Sequence, residues 1–183
     1  MFSKFKKDIT KYKDYSNTNS LVLLLTQQGL WALFVYRISN LIYVSSMPNV
    51  LKRILLIPCL IAQKSIEILT GISLPYSATI GESFYIGHFG GIIINANAII
   101  GNNCNISQGV TIGVSGLGQK RGVPVIGSDV YMGANAVIVG NINVGNGAVI
   151  GANSLVTKDV LSNTTVLGVP AVKINEHNSK GYI

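Results

Sequence analysis

Of the side chains that most often move protons or hold metals, this 183-residue sequence carries two histidines, His88 and His177, and two cysteines, Cys59 and Cys104. A zinc centre built on three histidines cannot be assembled from two. Cys59 falls in an apolar run and Cys104 at a small-residue position of a repeat, so both read as packing, and a disulfide framework is excluded. His177 lies in a polar C-terminal stretch. His88 stands in Gly87-His88-Phe89-Gly90-Gly91, and an imidazole there is either a general base or a buried histidine with a satisfied partner.

What positions His88 is a period of six. Aliphatic residues recur at Leu74, Ile80 and Ile86, then at Ile94, Ile100, Ile106 and Ile112, then at Ile126, Met132, Ile138, Val144, Ile150 and Val156. Small or β-branched residues follow four positions later, as at Ala78, Ala98, Cys104, Val110 and Ala136. This period fits neither a helix nor a hairpin strand. It predicts a parallel β-helix in which each hexad gives one short strand and one turn, and three hexads close a triangular coil. The fold class is therefore mainly β: a helical segment over residues 1–71, a β-helix over 72–172 and a tail over 173–183.

The rhythm breaks twice. Ile86 to Ile94 spans eight residues, so two extra ones enter around His88. Ile112 to Ile126 spans fourteen, so a Gly-rich loop over residues 114–125 leaves the coil. A solenoid displays function where it departs from its repeat, because insertions become loops on one face.

The helical segment holds the charge. Residues 1–71 carry nine Lys and Arg against Asp8, Asp14 and Glu67, a balance of +6; the remainder carries five against four. The basic residues are scattered among apolar runs with no nucleic-acid motif, so the alternatives are contact with a membrane surface or an acidic carrier and an ordinary solvated face. The sequence predicts a helix or arm to Asn19, a helix from Ser20 to about Tyr43 disturbed near Gly29, and a second from Val50 to about Leu69 through Pro58. The first twenty residues do not read as a secretory leader, and Ile54 to Ala62 is too short to span a bilayer. The expected location is cytoplasmic, with membrane association through the helices.

The run from Ile86 to Asn95, the hexads around Ser107-Gln108-Gly109-Val110-Thr111-Ile112-Gly113, the stretch from Ile126 to Ser154 and the closing Gly168-Val169-Pro170-Ala171 resemble the serine acetyltransferase branch of the hexapeptide-repeat acyltransferases. The resemblance implies a left-handed β-helix, a homotrimer with active sites between neighbouring prisms, and acetyl-coenzyme A as co-substrate without a metal. The pantetheine arm would meet the backbone near Gly113, Ala134 and Ala152, and Lys120 and Arg121 in the loop would meet the phosphates. His88 would be the general base in a direct transfer without an acyl-enzyme, while backbone or side-chain donors hold the oxyanion.

Three departures set expectations about the acceptor. Ser73 stands where the family has an aspartate that orients the base, Gly87 where an aspartate precedes it, and Gly122 where a second histidine follows Arg121. With Ser73, Gly87 and Arg121 lining the acceptor site, its charge looks largely lost. The expectation is therefore a saccharide hydroxyl, free or lipid-linked, as in relatives that acetylate capsule or exopolysaccharide. The alternatives are a serine O-acetyltransferase of cysteine biosynthesis and a non-catalytic binding module. Ser73, a backbone carbonyl or Glu82 would then orient His88.

Overall fold

The structure, a computed structural model, describes residues 2–118 and 121–183. Four helices come first: α1 (Phe2–Ser16), α2 (Ser20–Thr26), α3 (Gln28–Val44) and α4 (Asn49–Thr70). From Ile72 the chain winds through short strands that build three parallel walls, each wall taking every third strand as far as Val156. One wall holds Ile72–Ser73, Ile92–Ile94, Thr111–Gly113, Val137–Val139 and Leu155–Val156; the others begin at Thr79–Ile80 and Tyr85–Ile86.

Register follows the repeat. Ile94 pairs with Ile112, 18 residues on, which is three unbroken hexads. Ile86 pairs with Ile106, 20 residues on, and Ile112 with Ile138, 26 residues on, so the excesses of two and eight match the two breaks. The aliphatic series from Leu74 to Val156 is nowhere more than 3% exposed, and its stacked side chains form the core. Burying that column out of water is the main force winding the coil.

Two of the three corners turn through left-handed residues at equivalent positions of successive coils. One column is Ser83, Asn103, Asp129, Gly147 and Asn163, the other Gly71, Gly91, Gly109, Asn135 and Asn153. Glycine and short polar residues tolerate this conformation best. At Gly109, with φ of +72°, a Cβ would also lie 1.9 Å from Asn135 Oδ1 and push that side chain aside.

The first coil has no coil beneath it, and helix side chains supply the missing partners. The Tyr36 hydroxyl donates to Ala78 O (2.8 Å) and accepts from Ile80 N (2.9 Å). The Tyr12 hydroxyl donates to Ile86 O (3.0 Å) and accepts from Ile86 N (3.1 Å). Arg37 donates to Ile80 O (2.7 Å) and Gly81 O (2.6 Å), and Asp8 accepts from Phe84 N (2.9 Å). Buried peptide groups left unpaired would cost the fold dearly, which is why polar side chains occur on otherwise apolar helices.

Some local expectations change. The helix predicted over residues 20–43 is two helices meeting at 91° at Gln27, capped by Asn19 rather than Ser20 through Val22 N to Asn19 Oδ1 (3.0 Å). The polar tail over residues 173–183 is docked. Ala171–Asn175 runs antiparallel to Thr165–Gly168, and Tyr182 O accepts from Asn105 Nδ2 (2.8 Å) while its ring meets Tyr131. The tail's few aromatic and polar anchors, not its mean polarity, decide its order.

Candidate active site

His88 lies in the first break, between the strand ending at Ile86 and the one starting at Ile92, with its side chain exposed. Gly90 and Gly91 have φ of +99° and +67°, so the two extra residues bulge from one edge of the prism rather than shifting its core. In later coils the same edge carries Ala134 and Ala152. Each immediately precedes a left-handed corner residue, and Gly109 N, Asn135 N and Asn153 N donate to Gly90 O, Gln108 O and Ala134 O. His88, Ala134 and Ala152 thus share one edge.

Gly113 lies at the far side of the adjoining wall, where its strand runs into the loop. That loop leaves through a neck at which Ser115 and Gly122 exchange two backbone hydrogen bonds (3.0 and 3.1 Å). Below the neck, Ser115, Val139, Asn141 and Thr157 help line a cavity of about 360 Å³, and Gly140 N donates to Gly113 O (3.3 Å). Arg121 is exposed beside the neck, and Lys120 falls outside the described residues. Between the edge and the loop root the wall presents an outward ladder of paired residues: Ser73, Ile93, Thr111, Val137 and Leu155. The structure therefore brings His88, Ser73, Gly113, Ala134 and Ala152 to one wall and its borders.

Neither side chain expected to orient His88 is turned to it. Ser73 Oγ donates to Glu67 Oε1 (2.7 Å), and Glu82 pairs with Lys7 (2.5 Å). Glu67 sits one turn before the end of α4 and also accepts from Gln63 Nε2 (3.0 Å) and pairs with Lys64. Partial burial raises its carboxyl, but hydrogen bonds from Lys64, Gln63 and Ser73 outweigh that and hold it below the usual carboxylate value. The departures at Gly87 and Gly122 differ physically. A Cβ on Gly87 would meet Tyr85 Cε1 at 3.4 Å, ordinary contact, whereas one on Gly122 would lie 2.5 Å from Asn141 Cβ. Gly87 leaves room for a side chain; Gly122 does not.

No family model matches the chain. A serine acetyltransferase from Bacillus pumilus is 33% identical over 181 residues, covering 98% of this chain and 80% of the relative. The chain belongs to the serine acetyltransferase family. A second member, from Synechococcus elongatus, is 35% identical over 158 residues, which cover 86% of this chain; the matched stretch makes up 62% of that relative. Among solved structures, a Brucella abortus serine acetyltransferase in complex with coenzyme A superposes with a TM-score of 0.84 at 28% identity, covering 96% of this chain and 68% of that one. A soybean serine acetyltransferase complexed with serine gives 0.82 at 30%, covering 94% and 68%. The coil is thus the left-handed β-helix of this family, and the coenzyme A complex is that of the Brucella enzyme.

These relatives correct one expectation. Serine acetyltransferases, not capsule or exopolysaccharide enzymes, are what the chain matches, so the saccharide acceptor is withdrawn. Charge absent from the motif positions is present beside them. Glu67 brings a carboxylate to Ser73 from the preceding helix, and the signal for it was its place four residues before the helix-ending Gly71.

Proposed function

We propose that this protein is a serine O-acetyltransferase that moves the acetyl group of acetyl-coenzyme A onto the hydroxyl of free serine, as a homotrimer. The observation that carries the reading is the likeness to serine acetyltransferases along nearly the whole chain, together with an exposed His88 on the edge that also bears Ala134 and Ala152. His88 takes the hydroxyl proton as the serine oxygen attacks the thioester carbonyl; collapse of the tetrahedral intermediate expels the thiolate, which recovers that proton. Gly113, Ala134 and Ala152 offer backbone groups to the pantetheine arm, while Arg121 suits its phosphates. The Ser73–Glu67 pair gives the acceptor's ammonium a carboxylate beside the outward ladder.

The test is thiol release from acetyl-coenzyme A in the presence of L-serine, with O-acetylserine identified by mass spectrometry. Serine-dependent release supports the reading. Release at the rate of the serine-free control overturns it.

A further inference from the structure

We infer that the outward face of α4 docks on an anionic membrane surface. The helix turns Leu56, Cys59, Gln63, Ile66 and Thr70 toward the protein, half or fully buried. The opposite face should then be charged, as on a surface helix. It instead carries Val50, Ile54, Ile57, Ile61 and Ile68, which recur at helical spacing and are each at least 57% exposed. Leu51, Leu55 and Leu69 widen the strip and are also exposed. A continuous apolar strip of this size marks an interaction surface.

Charge selects the occupant. Between Asp14 and Glu67 the chain has no acidic residue, and its charges there are Arg37, Lys52, Arg53 and Lys64. Arg37 is consumed by Asp8 in the interior and Lys64 pairs with Glu67, which leaves Arg53 exposed beside the strip and Lys52 half-buried. An apolar strip whose uncompensated border charges are Lys52 and Arg53 complements acyl chains beneath anionic headgroups. A second copy of the same face would set Lys52 and Arg53 against cations, since the carboxylate nearby, Glu67, is taken by Lys64 and Ser73. Among the described residues no single helix is long and apolar enough to cross a membrane, so the contact is interfacial, with α4 lying flat. A second apolar recess of about 410 Å³, lined by Leu24, Trp31, Phe34 and Ile66 among others, opens between the helices and could admit part of an acyl chain.

The test uses the full chain in co-sedimentation with vesicles of phosphatidylcholine alone or mixed with phosphatidylglycerol. Binding at least about tenfold stronger to the mixed vesicles is expected, weakened by salt, by Arg53→Glu and by Ile57→Asp with Ile61→Asp. These positions lie outside the core and the candidate active site, so thermal unfolding and acetyl transfer should be unchanged. Absence of binding by the wild-type chain to either vesicle overturns the inference. So does light scattering showing an oligomer that the aspartate variants break into smaller species, because the strip would then be an interface between copies.

Discussion

Arg37 grips Asp8 through two hydrogen bonds, Nε to Oδ2 at 2.9 Å and Nη2 to Oδ1 at 3.0 Å, in a pair only 4% and 0% exposed. The remaining valences of both groups go to peptide groups of the first coil at Ile80, Gly81 and Phe84. Removing one partner of such a pair strands a buried charge. Asp8→Ala should cost about 3–5 kcal/mol, read as a lower urea midpoint at an unchanged slope. A loss below about 1 kcal/mol would mean the pair is dispensable.

Gly29 marks the closest approach of helix to coil. A Cβ there would lie 2.2 Å from the Tyr12 hydroxyl and 2.8 Å from Ile86 Cβ. Gly29→Ala gains helix propensity yet should destabilise by about 1–3 kcal/mol, because overpacking outweighs propensity at a contact this tight. Thermal unfolding decides the sign.

His88→Ala should lower turnover by about 10²–10⁴ and leave unfolding free energy within about 0.5 kcal/mol, since the side chain is exposed. Unchanged turnover would remove His88 from the chemistry.

The Ser73–Glu67 pair and Gly87 offer opposite tests of acceptor binding. Glu67→Gln should raise the KM for serine about tenfold and leave the KM for acetyl-coenzyme A alone, which a merely structural role would not do. Gly87→Asp fits the space above Tyr85 and puts a carboxylate next to His88, so kcat/KM for serine should rise. Steady-state kinetics with each substrate varied reads both.

Lys11 gives a pH dependence. Its ammonium donates to Asn103 Oδ1 (2.6 Å), and burial pulls its pKa down to about 8 against the opposing charges of Cys104, Asp129 and Asp8. Unfolding restores the ordinary value of 10.5, so between these values the unfolded chain binds more protons than the folded one. Lys11 therefore costs stability below about pH 8, and that cost lifts as pH rises toward 10.5. Lys11→Met should be the more stable protein at pH 7, its advantage shrinking as pH rises, in parallel denaturant titrations.

The repeat was legible because every sixth residue meets the same environment; the register offsets at His88 and at the loop could be counted from the residues alone. The end of α4 was likewise readable to within a residue, expected at about Leu69 and found at Thr70. The reach of α1 was not, because Asp8, Lys11 and Tyr12 are ordinary polar residues until a bare coil edge is placed beside them. Glu67 escaped for a related reason: its partner Ser73 lies across the helix–coil junction, and a motif fixes positions along a chain, not the side chains that fold back onto it.

The sealing of the prism's first coil has a consequence for the protein's life in a crowded cell. Hydroxyls and a guanidinium seal the entry, while the antiparallel return of Ala171–Asn175 seals the exit wall. A chain cut at Gly71 would expose a row of bare amides, a ready template on which further copies could stack into fibrils.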